Sequence, residues 1–113
     1  MTIYQSAVQA PPLPRQSLFH YLFPETDSGS KSQKNADRKI PKDSIALIDA
    51  LTDTKVTRKE FVSRCQTLAG GLRARGLKKG DVVGLMGLNS VEWLVAFHGS
   101  HCAGLRVSPI NWA

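Results

Sequence analysis

The sequence predicts an α/β fold in which helices cover parallel β-strands, and this prediction depends on two observations. Residues 58–75 and 89–104 combine a helical spacing of apolar residues with capping residues at their starts. Short apolar runs at residues 82–86 and 105–108 flank the second segment, as in a strand, helix, strand unit. With 113 residues, of which 42% are hydrophobic, the chain has the length and composition of one small globular domain.

The first 43 residues divide into two parts. Residues 1–24 are interpreted as an irregular, proline-containing arm and a short helix, because apolar residues at helical spacing occupy residues 16–23 and Pro24 follows them. Residues 25–43 are polar, with five basic residues and one acidic residue between positions 31 and 42. Such a segment lacks the apolar residues of a packed face, so we expect a flexible insertion there. The main domain then begins at residue 44 and covers residues 44–113.

That domain opens with a predicted hairpin, in which the apolar residues 45–48 pair with residues 55–56 across a polar turn. A long helix follows at residues 58–75. Thr57 and Glu60 have the spacing of a capping box, in which a hydroxyl and a carboxylate each accept from a free backbone N–H at the helix start. The stripe that this helix should bury consists of Phe61, Cys65, Leu68, Ala69 and Leu72.

A parallel strand, helix, strand unit is predicted next. The run at residues 82–86 shows no alternation, which is typical of a strand buried on both faces. Asn89 begins a second capping pattern, and the helix that it opens should end at Gly104, before a strand at residues 105–108. A right-handed crossover should join the two strands. Because a parallel sheet needs cover on both faces, we expect further chain to follow Ala113.

The net charge of +6 is compatible with a nucleic acid or an anionic surface as a partner. Residues 55–79 contain eight basic residues and one acidic residue. No stacking aromatics interleave with these bases, so nucleic-acid binding is not predicted and a solvated helix face is favoured. One alternative stays open, a stand-alone basic interaction module that binds polyanions or acidic partners. Its anion-facing surface would consist of Arg58, Arg64, Arg73 and Lys79.

The glycines and two glutamates at helix starts are assigned structural roles. None of the glycines has the spacing of a phosphate-binding loop or of a dinucleotide turn. Gly70 and Gly71 lie inside the first long helix, where we expect them to permit close helix packing. Glu60 and Glu92 sit three residues after a cap, which explains them better than acid–base catalysis does. The glycines considered are Gly70, Gly71, Gly76, Gly84 and Gly87.

The cysteines and histidines are the remaining candidates for chemistry. His98, His101 and Cys102 fall within about one helical turn, but they are too few for a structural zinc site, and buried packing is favoured. Cys65 or Cys102 could meet His20 or His98 as a nucleophile pair, although helix interiors argue against exposed thiols. We expect both cysteines to be buried and reduced. The sequence therefore predicts no catalytic, cofactor-binding or metal-binding residue.

No membrane or secretion segment is predicted. The uncharged stretch at residues 93–105 is shorter than the roughly 20 residues that a membrane span requires. Prolines interrupt the uncharged start of the chain before the apolar core of a signal peptide could form. We expect an intracellular protein, either cytoplasmic or peroxisomal.

Six short motifs follow one another between residues 56 and 111. They are Val56-Thr57-Arg58-Lys59-Glu60-Phe61, Leu68-Ala69-Gly70-Gly71-Leu72, Gly76-Leu77-Lys78-Lys79-Gly80-Asp81-Val82-Val83, Leu88-Asn89-Ser90-Val91-Glu92-Trp93, Cys102-Ala103-Gly104 and Ser108-Pro109-Ile110-Asn111. In type, order and spacing this set resembles the opening of acyl-CoA synthetases and 4-coumarate-CoA ligases of the adenylate-forming superfamily. The resemblance covers about residues 44–113, and residues 17–24 resemble the short N-terminal helix of these enzymes.

The resemblance implies an incomplete N-terminal subdomain of the adenylate-forming enzyme fold. Such enzymes use ATP and Mg²⁺ to convert a small carboxylic acid to an acyl-adenylate, and they then transfer the acyl group to CoA. Their phosphate loop, nucleotide contacts and lid lysine would lie beyond Ala113. The resemblance therefore implies ATP, Mg²⁺ and CoA for the complete enzyme, in fatty acid or phenylpropanoid metabolism. We expect the 113 residues alone to bind none of these cofactors and to be inactive.

Overall fold

The computed structural model describes residues 7–8, 15–24 and 40–111, and within them helices alternate with short strands. The elements are α1 (Leu18–Leu22), β1 (Ile45–Ile48), β2 (Lys55–Thr57), α2 (Arg58–Ala74), β3 (Val82–Met86), α3 (Val91–Cys102) and β4 (Arg106–Ile110). The strands form two separate pairs, an antiparallel β1–β2 hairpin and a parallel β3–β4 pair. The predicted α/β class is confirmed. Most of the predicted insertion, residues 25–39, lies outside the described residues.

The first helix is short, and one aromatic face attaches it to the body of the protein. It begins at Ser17, whose side chain accepts the backbone N–H of His20. Phe19 on α1 is fully buried, and Phe23 directly after the helix is 7% exposed. The predicted helix at residues 16–23 is therefore confirmed with narrower bounds, and Pro24 follows it as expected.

The predicted hairpin is also confirmed. Its turn begins at Asp49, whereas the sequence indicates a turn at Thr52-Asp53-Thr54. The Asp49 carboxylate accepts the backbone N–H groups of Leu51 and Thr52 at 2.9 and 3.1 Å. These two bonds hold the pKa of Asp49 below its usual value. Asp53 completes the turn in the left-handed region, with φ of 53°, which aspartate tolerates better than most residues.

The long helix α2 starts at Arg58 as predicted and ends at Ala74, one residue before the predicted end. The Thr57 hydroxyl accepts the N–H of Glu60 at 3.2 Å, and Gly76 follows the helix with φ of 92°. Within the described contacts only this half of the capping box is formed, because no bond runs from the Glu60 carboxylate back to Thr57. The predicted stripe is confirmed. Its fully buried members are Phe61, Cys65 and Ala69, and its half-buried members are Leu68 and Leu72.

The close contact between α2 and α3 depends on Gly99, which the sequence analysis did not single out. A methyl group on Gly99 would lie 2.9 Å from Leu68 Cδ2 and 3.1 Å from the Cys65 carbonyl oxygen. By contrast, Gly70 and Gly71 are exposed, and no atom lies within 4 Å of a methyl group placed on either. The packing role predicted for that pair is wrong for the described structure, because the two glycines face away from the helix contact.

The strand, helix, strand unit has the predicted parallel pairing, which runs in register from Val82 opposite Arg106 to Met86 opposite Ile110. Two details differ from the prediction. The cap of α3 is Ser90 rather than Asn89, because the Ser90 hydroxyl accepts the Trp93 N–H at 3.1 Å. The final strand is β4 (Arg106–Ile110) rather than residues 105–108, since all five of its residues pair with β3.

The prediction that β3 is buried on both faces is wrong for the described residues. Val82 and Met86 are each 64% exposed, whereas Val83 and Leu85 between them are half-buried. Helix α3 packs against β3 and β4 from one side, so residues that point to that side are covered and their neighbours are not. The core thus lies between α1, β2, α2, α3 and the inner face of the parallel pair.

Candidate functional site

A cleft of about 330 Å³ opens between α1, β1, α2 and α3. Its polar groups belong to Ser44, Arg58 and His98, and the Ser44 hydroxyl already donates to the Pro41 carbonyl at 2.6 Å. No carboxylate belongs to its described lining, so the cleft offers no acid–base pair. The apolar part of the lining includes Phe23, Ile45, Leu47, Phe61 and Leu94.

His98 is enclosed by phenylalanine rings next to this cleft. Its ring lies 6.3, 5.6 and 5.2 Å from the ring centroids of Phe23, Phe61 and Phe97, and all three contacts are edge to face. Its Nδ1 atom is buried and has no hydrogen-bond partner among the described residues. Burial lowers the pKa of His98, and His101 nearby lowers it further. His98 is therefore a neutral, packed imidazole at neutral pH.

The other histidines make local contacts. Nδ1 of His101 lies 2.8 Å from the Phe97 carbonyl oxygen, and Nδ1 of His20 lies 2.7 Å from the Ser17 hydroxyl. The part of the chain that the structure describes contains no group of three or more histidine, cysteine or acidic residues that could hold a metal ion. The weak zinc candidate of the sequence therefore gains no further ligand.

Both cysteines are buried and unpaired, as predicted. Burial, with a smaller contribution from Cys102, raises the pKa of the Cys65 thiol to about 12. Burial also raises the pKa of Cys102, against the opposing charge of Arg73. Thiols with raised pKa values stay protonated at neutral pH, and the thiolate is the nucleophilic form. Neither cysteine has the environment of a catalytic nucleophile.

Three arginines of α2 connect this helix to its neighbours instead of forming a free basic surface. Arg58 donates to the Leu22 carbonyl at 3.1 Å and places its guanidinium 4.6 Å from the Phe23 ring centroid. Arg73 donates to the Cys102 carbonyl at 2.8 Å, at the end of α3. The anion-facing surface suggested for these side chains is therefore not supported.

The third arginine pairs with the start of α3. Arg64 Nη2 lies 3.2 Å from Glu92 Oε1. The pKa of Glu92 is lowered first by a hydrogen bond from its own backbone N–H and then by Arg64. Glu92 is thus an exposed, ionised carboxylate at a helix start, where negative charge is favourable. This environment is opposite to that of a general acid, whose pKa must be raised.

The contacts described above are those of a structural scaffold. Comparison with known proteins identifies the family to which this scaffold belongs. The model of the AMP-binding enzyme family matches residues 33–113, which is more than half of the chain. The chain belongs to this family. None of the helices in the described part of this family member has the length and apolar character that a bilayer crossing requires.

Curated relatives of this AMP-binding family member include a CoA ligase and a gramicidin S synthase. The 2-succinylbenzoate–CoA ligase of Arabidopsis thaliana, chloroplastic/peroxisomal, is 37% identical over 70 residues, which are 59% of this chain and 12% of the relative. Gramicidin S synthase 2 of Brevibacillus brevis is 41% identical over 59 residues, which are 52% of this chain and 1% of the relative. The chain therefore spans only a small part of the proteins that it matches.

Solved structures of adenylate-forming enzymes share the fold. ATP-bound MatB from Rhodopseudomonas palustris matches 86% of this chain with a TM-score of 0.67 and 30% identity, over 16% of its own chain. The N-terminal subdomain of NpsA from Klebsiella oxytoca, in complex with 3-hydroxyanthranilyl-AMSN, matches 61% of this chain with a TM-score of 0.56 and 30% identity, over 17% of its own chain. The predicted relation to the N-terminal subdomain of the adenylate-forming fold is confirmed.

Proposed function

We propose that this chain is the amino-terminal part of an AMP-forming carboxylic acid–CoA ligase. The observation that carries the proposal is the family match over residues 33–113, and the likeness of the fold to that of ATP-bound MatB supports it. Several relatives that match this stretch are CoA ligases by name, among them a long-chain fatty acid–CoA ligase and probable 4-coumarate–CoA ligases.

The proposed reaction has two steps. The carboxylate of a small acid attacks the α-phosphate of ATP, which releases pyrophosphate and leaves an acyl-adenylate. The thiol of CoA then attacks the acyl carbonyl, and AMP leaves. Adenylation replaces a poor leaving group by a good one, and Mg²⁺ would neutralise charge on the phosphates.

In this proposal, the residues of this chain contribute to that chemistry only indirectly. The described residues include no group of three or more histidine, cysteine or acidic residues that could hold Mg²⁺. We therefore assign them no reaction step and no cofactor contact. Their proposed role is the scaffold of the domain, and the 113 residues alone are proposed to be inactive. We also propose an intracellular enzyme, cytoplasmic or peroxisomal.

Sequencing the transcript through the codon of Ala113 tests the proposal first. We expect an open frame that continues into a Ser/Thr/Gly-rich loop followed by lysine. The protein from that frame should catalyse ATP–pyrophosphate exchange that depends on a carboxylic acid, and it should form CoA thioesters. The purified 113-residue chain, as the matched control, should do neither.

Each arm of this experiment can contradict part of the proposal. A stop codon directly after Ala113 would contradict a larger ligase. Exchange activity without formation of a CoA thioester would retain adenylation and overturn CoA as the acceptor. Exchange by the 113-residue chain would overturn the claim that it is inactive.

A further inference from the structure

One of the contacts that attach α1 to the rest of the protein includes a histidine. Phe23 at the end of α1 lies 5.9 Å from the Phe61 ring of α2 and 6.3 Å from the His98 ring of α3. Phe61 and His98 also contact each other, with 5.6 Å between their ring centroids. The three rings therefore form one cluster at the junction of three helices, and His98 is its titratable member.

The surroundings of His98 favour the neutral imidazole. Protonation would place two N–H donors on the ring, yet its buried Nδ1 has no acceptor among the described residues. One cation already lies over the Phe23 ring, the Arg58 guanidinium at 4.6 Å, so an imidazolium beside Phe23 would meet its charge.

Among the described residues, the ionisable groups around the cluster do not offset a positive charge on His98. Arg58 of α2 lines the same cleft, and its charge would repel an imidazolium. His101 lies one turn along α3, and His20 lies on α1 with its ring 5.7 Å from that of Phe19. Cys65 of α2 stays protonated because burial raises its pKa to about 12. Strand β1, which also lines the cleft, carries no ionisable side chain.

We propose that protonation of His98 releases α1 from α2 and α3, so that the docking of the first helix depends on pH. The direction of this pH dependence follows from the linkage between protonation of His98 and docking of α1. Burial depresses the pKa of His98 below its ordinary 6.5, and Phe23 at the end of α1 contributes to that burial, so undocking of α1 lets His98 bind a proton more readily. The contribution of neutral His98 to docking is therefore fully present above pH 6.5 and is lost as the pH falls through the docked-state pKa.

The chain contains only three histidines, so the imidazole resonances of each can be followed separately. We would record the imidazole C–H resonances of the 113-residue chain between about pH 7.5 and pH 5 and repeat the titration in denaturing urea. His98 should titrate at a lower pH in the folded chain than in urea. Amide hydrogen exchange of residues 18–23, corrected for its intrinsic pH dependence, should lose protection over the same interval while α2 retains it.

Two variants distinguish His98 from a general effect of acid. In His98→Phe, an uncharged ring of similar size should keep α1 protected at the lower pH. In the control His20→Gln, the loss of protection on acidification should persist. The inference is overturned if His98→Phe loses protection as the parent does, or if α1 is equally protected at both pH values. It is also overturned if α1 is unprotected already at pH 7.5, or if His98 titrates in the folded chain as it does in urea.

Discussion

Two glycines in similar helical positions should respond in opposite ways to alanine. At Gly99 the added methyl group would meet Leu68 Cδ2 at 2.9 Å and the Cys65 carbonyl oxygen at 3.1 Å, so the helices must separate. We expect Gly99→Ala to lower the free energy of unfolding by about 1–3 kcal/mol through overpacking. At Gly70 a methyl group meets no atom within 4 Å, so Gly70→Ala should raise it by about 0.5–1 kcal/mol through helix propensity.

Urea unfolding of the two variants and the parent, followed by circular dichroism, measures both effects in one series. Equal changes at the two glycines would contradict the close contact of α2 with α3 at Gly99. The sequence could not distinguish the two sites, because helical periodicity identifies which face is apolar but not where two backbones approach most closely. The adjacent glycines Gly70 and Gly71 suggested close helix packing. The single Gly99, which lies among apolar residues, did not.

The thiol of Cys65 should react slowly with an alkylating reagent in the folded chain. It is fully buried and its pKa is raised to about 12, so little thiolate forms near neutral pH. The sign of the shift predicts that the rate rises with pH up to about 12 as long as the chain stays folded. Mass spectrometry of alkylated peptides at several pH values measures the rate for each cysteine separately.

The matched control for this measurement is the same chain in urea. There Cys65 and Cys102 should both react quickly, because burial no longer raises their pKa values. Rapid modification of Cys65 in the folded chain would contradict its enclosure between α2 and α3. Burial of both thiols was predictable from the sequence, since each lies on the apolar stripe of a helix.

Among the elements, the starts of α2 and α3 show when a capping pattern identifies the cap residue and when it does not. The start of α2 was predicted to the residue, because Thr57 offers the only hydroxyl in the right place before Glu60. At α3 the neighbours Asn89 and Ser90 are both good caps, and the sequence analysis selected Asn89. The structure selects Ser90, since its hydroxyl reaches the Trp93 N–H at 3.1 Å.

Alanine substitutions at the two neighbours test this assignment. We expect Ser90→Ala to lower the free energy of unfolding by about 1 kcal/mol, because the Trp93 N–H at the helix start then loses its acceptor. Asn89→Ala, the matched control, should change it by less than about 0.5 kcal/mol, as an exposed substitution usually does. Thermal or urea unfolding compares the pair, and a larger loss for Asn89→Ala would restore the original assignment of the cap.

The arginines of α2 show what an element-scale pattern omits. Helical spacing placed Arg64 and Arg73 on a solvated face outside the buried stripe, and the number of bases there suggested a basic surface. Spacing did not indicate their partners, because Glu92 and the Cys102 carbonyl belong to a helix about 28 residues away in sequence. Side chains beside a stripe lie at its margin, where they can reach the neighbouring helix, and here they connect α2 to α3.

At the scale of the whole molecule, the sequence predicted the parallel unit correctly and its cover incorrectly. An uninterrupted apolar run is typical of a strand with helices on both faces. The described residues supply α3 on one face only, so Val82 and Met86 of β3 remain 64% exposed. Cover on the second face depends on chain that is not local to the strand, and a local pattern therefore could not decide it.

This open face should be detectable in the 113-residue chain itself. Val82 and Met86 point to the side opposite α3, and Ile110 of β4, which pairs with Met86, is 49% exposed on the same side. We expect the folded chain to bind an apolar dye such as ANS, because contiguous exposed apolar area favours such binding.

The double variant Val82→Thr and Met86→Gln should reduce the dye fluorescence and shift the free energy of unfolding by less than about 1 kcal/mol. The control Val83→Thr alters the half-buried inner face, so it should lower that free energy by more than the double variant while the dye signal of the folded state persists. If the double variant bound as much dye as the parent, the bound surface would lie elsewhere, and the open sheet face could not explain it.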